Sequence, residues 1–333
     1  MKTPFNVLRH VNQWEMAPRD PVIIGTAIIN ALGGSAALAA TTIALNVTVA
    51  GVVGYLATTA ITSWALNALA PDVGGIGGSR GLMVNATDPA APHDIVYGAV
   101  RKGGIRTYVE ATGTENKFLH MILVLAGHEL EAIDDIYLDD EIATVDASGF
   151  VTSGDWNSKV RIKKHLGDQI VVDSLLEQES NQITANFVGN GIAYLYIRLE
   201  YDQDAFANGV PLITAKVRGR KVYDPRSVST AYTANAALVV RDYITAGFGL
   251  ADSAVDDLAF AASANVSDEA IALDGGGTEP RYEINGVVSS DMSPRTIVSR
   301  MMSSCGGTLF WGQGKFQLHV GYYSNPVKTF TLD

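Results

Sequence analysis

Cysteine and basic residues are scarce in this 333-residue chain. Cys305 is its one cysteine, which excludes an intrachain disulfide framework and any zinc or iron–sulfur site built from several cysteines. We expect Cys305 to be a small buried hydrophobe. Lys and Arg number 24 against 35 Asp and Glu, and the formal net charge is −11. Because binding to nucleic acid needs clustered basic side chains, the composition predicts no specific nucleic-acid binding.

Charge is missing altogether from residues 21–71, which contain no Asp, Glu, Lys or Arg. A cleaved secretory signal has a basic start and an apolar core of roughly 7–15 residues, whereas this run follows Glu15 and Asp20 and is far longer. A membrane-spanning helix needs about 20 apolar residues. Residues 22–32, before a Gly-Gly pair, would reach only about 17 Å as a helix. The remainder of the run is long enough to span, yet it contains Asn46, Asn67 and many Thr, which lipid tolerates poorly.

A helical stripe within this run favours packing against protein. Leu45, Val49, Val52 and Leu56 recur at spacings of four, three and four residues. Ala, Gly, Ser and Thr fill much of the rest, and such small residues let helices approach closely. A helix that is apolar nearly all round is buried somewhere. Burial inside an oligomer and contact with a membrane are both open, and the two can hold at different times.

The rest of the chain indicates a mixed α+β fold in which strands dominate. "DIVYGAVRKGGIRTYVEATG" predicts two strands around residues 102–104, and "KFLHMILVLAGHELEAIDDIYLDDEIA" predicts a buried strand, a turn at Gly127 and a further strand and turn. "GNGIAYLYIRLEYD" alternates as a half-buried strand does, and "ITAKVRGRKVYDPR" predicts a strand that stops at Pro225. "TLFWGQGKFQLHVG" predicts a β-hairpin that turns at residues 312–314.

Helices are predicted mainly in the last third of the chain, each from its capping residues. "NAALVVRDYITAG" begins with Asn235 as N-cap and stops at Gly247. "DSAVDDLAFAASAN" opens with Asp252 as cap. "SPRTIVSRMMSSCGG" has Ser293 as cap, Pro294 at the first helical position and a Gly-Gly stop. One face of this last helix is expected to be apolar through Ile297, Val298, Met301 and Met302.

Five segments follow from these patterns. They are an N-terminal arm (1–20), a charge-free apolar helical segment (21–72), a Gly-rich linker (73–81), a β-rich region (82–230) and an α+β region that ends in a β-hairpin (231–333).

No constellation of residues predicts an enzyme, a metal site or a cofactor. His120 and His128 would lie about 26 Å apart along a strand and about 12 Å apart along a helix, too far to share a zinc ion with Glu129. The acidic stretch "IDDIYLDDE" (residues 133–141) matches no EF-hand spacing and is typical of a solvated turn. A hydrolase that uses the carboxylates of this stretch for acid–base chemistry is a weaker alternative. "LDGGGTEP" lacks the Lys-Ser/Thr ending of a phosphate-binding loop and is typical of a surface turn.

Several stretches of the second half resemble the tail-tip attachment (host-specificity) protein J family of lambda-like long-tailed bacteriophages. Members show an R-G-R element, an N-x-A-x-x-x-x-D helix, a G-G-T-E-P-R turn, a further helix and a tryptophan hairpin. Similar elements occur here in the same order, in "VRGRKVYDPR", "NAALVVRDYITAGFG" and residues 275–321. Upstream, "VYGAVRKGG" and "NKFLHMILVLAGHELEAIDDIYLDDE" resemble the N-terminal part of many such proteins. The matching motif residues are Arg218, Gly219, Arg220, Asp242, Gly276, Glu279, Pro280, Arg281 and Trp311.

This resemblance implies a non-enzymatic structural protein of the virion: a homotrimeric hub that closes the distal end of the tail tube and couples host attachment to DNA ejection. It implies tail-hub architecture with tube-protein-like β-barrel domains, beside the apolar helical N-terminal segment. The implied partners are distal tail and other tail-tip proteins and the tape-measure protein. The protein would be made in the host cytoplasm and located at the distal end of the phage tail.

The chain also departs from the family pattern. Members usually continue for hundreds of residues, so this chain resembles the hub portion alone, and no receptor-binding residue can be assigned. In a threefold hub, residues 21–72 would plug the lumen, glue the trimer or later enter the host membrane. A membrane-inserting or pore-forming protein with a soluble β-rich domain is the alternative function.

Overall fold

The computed structural model describes Asn85 and residues 91–323. The predicted arm, apolar segment and linker, with the stripe at Leu45, Val49, Val52 and Leu56, lie outside the described residues. The described part is β-dominated and carries few helices, which confirms the predicted α+β class.

The first of two four-stranded sheets is antiparallel throughout. Its strands are β3 (Ile105–Thr112), β4 (Phe118–Ala126), β8 (Ala193–Glu200) and β7 (Val160–His165), hydrogen-bonded in that order. Strands β4 and β8 occupy the centre, with Met121 opposite Ile197. The buried strand that "KFLHMILVLA" predicts is therefore confirmed as the middle of a sheet.

The second four-stranded sheet shares a core with the first. Its order is β2 (Ala99–Lys102), β9 (Ile213–Arg218), β5 (Ala132–Leu138) and β6 (Glu141–Ile142). Alternate residues of the central strands bury together in one apolar cluster. Its members on the central strands include Leu119, Met121, Leu123, Leu125, Ile136, Leu138, Leu195, Ile197 and Leu199.

Strand β8 corrects one prediction, because it is buried on both faces and not on one. Leu195, Ile197 and Leu199 point to the shared core, while Tyr194 and Tyr196 lie on the opposite face. A short helix, α1 (Ser174–Glu179), buries Leu176 against the two tyrosines. The sequence alternates aliphatic with aromatic residues, and the aromatic face is also covered.

A second core gathers the helices of the C-terminal part. Helix α2 (Ala236–Asp242) is buried along its whole length and continues as a π-helical turn to Gly247. Helices α3 (Asp257–Ser267) and α4 (Pro294–Cys305) pack against it. The hairpin of β15 (Thr308–Gly312) and β16 (Lys315–His319) adds Leu318 to this core.

Most of the predicted helix ends are confirmed. The side chains of Asn235 and Ser293 accept hydrogen bonds from the first turns of α2 and α4, and Gly306 ends α4 in the left-handed conformation. Cys305 is buried, as expected. On α4, Ile297 and Met301 are buried, while the flanking Val298 and Met302 are half-buried.

The cap predicted at Asp252 is wrong. The residue that caps α3 is Asp256, whose carboxylate accepts from the amides of Leu258 and Ala259. Asp252 starts a separate 3-10 turn, and Val255 then pairs with Phe316 of β16 in extended conformation. The pairing with the hairpin delays the helix by four residues.

Three further pairs of short strands complete the described part. Strand β1 (Asp94–Tyr97) pairs with β14 (Gly286–Ser289), and β10 (Lys221–Asp224) pairs with β11 (Ser229–Tyr232). Strands β12 (Ala270–Ala272) and β13 (Thr278–Pro280) form a third pair. Through β1, the chain just before the first sheet joins the C-terminal core, where Tyr97 is fully buried.

Candidate functional site

The R-G-R motif lies where β9 passes into β10, and it crosses β1 at close range. The Gly219 amide donates to the carbonyl of Gly98, and the Arg220 amide donates to the carbonyl of Val96, both at 2.8 Å. A Cβ atom placed on Gly219 would lie 2.3 Å from the Val96 carbonyl oxygen. Only glycine permits this crossing, which splits the single strand predicted here into β9 and β10.

Asp242 joins this crossing to helix α2. Its Oδ2 atom accepts from the Tyr97 hydroxyl at 2.7 Å and lies 3.2 Å from Nε of Arg220. Asp242 is 8% exposed. Burial raises the pKa of the Asp242 carboxyl, while Arg220 and the Tyr97 hydroxyl act in the opposite direction. Burial, followed by the charge of Asp242, raises the pKa of Tyr97.

Three separate stretches of the chain thus meet at one buried polar group. Tyr97 comes from β1, Arg220 from the R-G-R motif and Asp242 from the end of α2. We call these three residues the Asp242 junction. A carboxylate with a guanidinium and a phenol at hydrogen-bonding distance fixes the relative position of three backbones, because removing one partner leaves buried polar groups unpaired.

His128 contacts Val96, the same residue of β1 whose carbonyl accepts from the Arg220 amide. Its Nε2 atom accepts from the Val96 amide at 2.9 Å, so Nδ1 carries the proton and donates to the Glu129 carbonyl at 2.7 Å. Burial is the main cause that lowers the pKa of His128, to about 4. A protonated ring would present an N–H to the Val96 N–H, and the hydrogen bond would be lost.

Three carboxylates of the acidic stretch form structural contacts. Asp134 lies 3.3 Å from Nε of Arg218, and Asp139 accepts from the Leu212 amide at 2.7 Å. Asp140 pairs with Arg101 in the turn between β5 and β6. The solvated-turn interpretation is wrong for residues 133–138, which belong to β5. It holds only at the end of the stretch, where Asp139, Asp140 and Glu141 are exposed.

The G-G-T-E-P-R motif lies apart from the Asp242 junction. It forms the turn and second strand of the β12–β13 hairpin, where Gly276 takes a positive φ of 86°. Glu279 and Pro280 are exposed. Arg281 holds the base of the hairpin through an ion pair with Glu269, at 2.7 Å.

Trp311 also lies on the surface. It is 59% exposed on β15 and contacts Phe316 edge to face, with ring centroids 4.9 Å apart. The motif residues therefore divide into a set around the junction, where Gly219 and Asp242 are buried, and a more exposed set on two hairpins.

A partly buried charged cluster at the C-terminal end of α1 was missed by sequence reasoning. Glu179 accepts from Arg161 at 2.9 Å and from the Tyr196 hydroxyl at 2.9 Å, and Arg198 lies 3.3 Å away. His120 contacts the same tyrosine hydroxyl through Nδ1, at 2.9 Å. The signal in the sequence was the alternation of Tyr196 and Arg198 with aliphatic residues, which places both on the face opposite the core.

His120 and His128 both form hydrogen bonds within the protein, and they share no partner: His120 contacts Thr112 and Tyr196, whereas His128 contacts Val96 and Glu129. His120 is fully buried, its Nε2 lies 2.7 Å from the Thr112 hydroxyl, and burial lowers its pKa to about 4. Among residues 91–323 and Asn85, no group of three His, Cys, Asp or Glu is arranged to hold a metal ion. No helix within these residues has the length and apolar character needed to cross a membrane.

Comparisons with known proteins give distant similarity to solved structures. No protein-family model matches the chain, and no curated protein matches it. One similar solved structure is described as "Virion of native gene transfer agent (GTA) particle", with 16% sequence identity and a TM-score of 0.44. The match covers 92% of this chain and 66% of that one, so the chain spans less than two thirds of its length. A similarity this distant establishes neither a family nor a function.

Proposed function

We propose that this chain is a structural virion protein: the homotrimeric central hub of a phage tail tip, which closes the tail tube and couples host attachment to DNA ejection. The observation that carries the proposal is the Asp242 junction. The R-G-R and N-x-A-x-x-x-x-D elements, on which the resemblance to the J family depends, contact each other there through Arg220 and Asp242. Arg220 and Asp242 belong to different sequence elements and contact each other in the fold, which is consistent with a shared structural role.

The chemistry of the junction supports a mechanical role over a catalytic one. Asp242 is buried, and its Oδ2 atom accepts from Tyr97 and is paired with Arg220. Glu179 is likewise surrounded by Arg161, Arg198 and Tyr196. Groups paired in this way hold backbones in place. The proposal includes no catalysis, no cofactor and no bound metal.

The proposed partners are two further copies of the chain, the distal tail and other tail-tip proteins, and the tape-measure protein. The proposed location is the distal end of the phage tail, after synthesis in the host cytoplasm. The motif residues on the hairpins, Glu279, Pro280 and Trp311, are exposed and are offered as contacts within this assembly. Residues 21–72 are assigned to the trimer core or tube lumen, with release towards the host membrane at a later stage.

A second candidate function is a membrane-inserting or pore-forming protein with a soluble β-rich domain. The absence of every Asp, Glu, Lys and Arg from residues 21–71 favours it, because charged side chains are costly inside a bilayer. In the hub, the apolar run first contacts other copies of the chain or the tube lumen. In a pore-forming protein, it contacts the membrane.

The deciding experiment is the mass in solution of the full chain and of a variant without residues 21–71, by analytical ultracentrifugation. The hub proposal predicts a particle of three times the 35.3 kDa chain mass. Weakening of the trimer by the deletion places the apolar run in the oligomer core. A trimer that survives the deletion, with liposome binding by the full chain alone, makes the run a stored membrane-active segment. A full chain that stays monomeric at every concentration contradicts the hub.

A further inference from the structure

The β12–β13 hairpin projects from the described part almost without support. Every residue from 268 to 280 is exposed except Ile271, which is half-buried. Each strand has three residues, and a Cβ atom on Gly275, Gly276 or Gly277 would meet nothing within 4 Å. A short two-stranded hairpin has little stability of its own in water. We call residues 270–280 the acidic arm.

The base of the acidic arm is nevertheless firmly held. Arg226 pairs with Asp268 at 2.8 Å, and Arg281 pairs with Glu269 at 2.7 Å. The arm itself carries Asp274 and Glu279 and no Lys or Arg. An anchored base and an unsupported acidic tip suit an element that contacts another molecule through a basic surface.

Helix α4 offers a basic surface in the same chain. It contains Arg295 and Arg300 and no acidic residue, and both arginines are exposed. Neither forms an ion pair with a carboxylate of the described residues; Arg300 contacts only the sulfur of Met292, at 3.4 Å. By contrast, eight arginines of the described residues do form ion pairs with carboxylates: Arg101, Arg161, Arg198, Arg218, Arg220, Arg226, Arg241 and Arg281.

Within one copy the base of the acidic arm lies beside the C-terminal end of α4, whereas Arg295 lies near its N-terminal end. The hydroxyl of Tyr282, just after the arm, donates to the Gly321 carbonyl, and the Gly321 amide donates to the carbonyl of Cys305 at the end of α4. Arg295 lies ten residues before Cys305, about 15 Å along the helix. The arm therefore starts beside the end of α4 that is remote from Arg295.

We infer that the acidic arm of one copy docks on the α4 helix of a neighbouring copy, with Asp274 and Glu279 against Arg295 and Arg300. A contact between two different surfaces of one chain is head-to-tail, and such contacts close a ring when the rotation between copies permits it. The inference rests on the proposed homotrimer and names the surfaces that would hold it together.

The test is charge reversal in the full chain, read by sedimentation equilibrium in about 0.1 M and about 1 M salt. One variant carries Asp274→Lys and Glu279→Lys, a second carries Arg295→Glu and Arg300→Glu, and a third carries all four changes. Asp155→Lys with Asp204→Lys is the matched control, because both are exposed carboxylates away from the arm.

Each single-surface reversal should raise the dissociation constant of the trimer about tenfold or more in low salt, since like charges then face each other. The variant with all four changes should return to within about threefold of the original chain, and the control should not change. A trimer that both reversals leave as tight as the control overturns the inference while the homotrimer stands. A chain that is monomeric before any substitution overturns the homotrimer and this inference together.

Discussion

The two packed sheets and the β12–β13 hairpin differ in strand length and in burial. Strands β4 and β8 are nine and eight residues long and lie at the centre of a sheet, under apolar cover on both faces. Strands β12 and β13 have three residues each and pair only with each other. Strand pairing needs apolar burial to be stable. The packed sheets therefore provide stability, whereas the β12–β13 hairpin leaves its side chains available for contact.

The largest effect is expected in the sheet core. Leu199 on β8 has no exposed surface, and Leu199→Ala should lower the free energy of unfolding by about 2–5 kcal/mol, through lost burial and the cavity left behind. Leu258→Ala is the control, because Leu258 is 84% exposed and its truncation should cost less than about 0.5 kcal/mol. Urea unfolding measures both. Equal costs for the two would mean that the shared core is wrongly identified.

The backbone crossing at the R-G-R motif is next. Gly219→Ala introduces a methyl group 2.3 Å from the Val96 carbonyl oxygen, and the forced shift should cost about 1–3 kcal/mol. Gly275→Ala, where the added methyl group meets open space, should be near neutral. Thermal unfolding of the pair checks the contrast. A Gly219→Ala protein as stable as the control would show that the crossing can widen freely.

The Asp242 junction should be of similar importance. Asp242→Asn keeps the shape but removes the charge that faces Arg220, and we expect a loss of about 1–3 kcal/mol of unfolding free energy. Asp274→Asn, on the exposed acidic arm, is the matched change and should leave stability unaltered. If Asp242→Asn stabilises the protein, the cost of burying the charge exceeds the value of its ion pair.

Acid should destabilise the protein through His120, which is buried, and His128, which is half-buried. In the folded chain the pKa values of His120 and His128 are lowered to about 4, against roughly 6.5 when unfolded. Between these values the unfolded state binds more protons, so stability is full above about pH 6.5 and falls as the pH drops towards 4. From pH 7.5 to pH 5 we expect about 1–2 kcal/mol per histidine.

Urea unfolding at a series of pH values measures this loss. His128→Gln should flatten the dependence, because one of the two titrating groups is removed. A stability that does not change between pH 7.5 and pH 5 would contradict the neutral state of both rings in the folded chain.

The smallest effect on stability is expected at the exposed hairpin. Trp311 is 59% exposed, so Trp311→Ser should change the free energy of unfolding by less than about 1 kcal/mol, which is the lost contact with Phe316. Near-ultraviolet circular dichroism and urea unfolding would record it. A loss of unfolding free energy as large as that of Leu199→Ala would mean that Trp311 packs in a core, which would contradict its exposed position on β15.

The features that the sequence predicted correctly depend on residues close together in the chain. The caps at Asn235 and Ser293 depend on the two or three residues that follow them, and the buried strand β4 depends on an apolar run. The misplaced cap at Asp252 shows the limit. Asp252 and Asp256 carry the same local signal, and only the pairing of Val255 with Phe316 decides between them.

The candidate site depended on contacts between distant residues. Resemblance to the J family singled out Arg220 and Asp242, yet nothing in the sequence linked them to Tyr97, 145 residues before Asp242. The cluster at Glu179 was hidden for the same reason, since its partners Arg161 and Arg198 lie on two different strands. Periodicity assigns a residue to a face, and tertiary structure alone says what lies across from it.

Strand β8 has a consequence for the order in which the chain opens. It is hydrogen-bonded to β4 on one edge and to β7 on the other, with apolar cover above and below. Its amide protons can meet solvent deuterons only when the whole sheet comes apart. The exchange rate of these few amides therefore reports the global unfolding of the described fold, while the amides of the acidic arm exchange through local fraying.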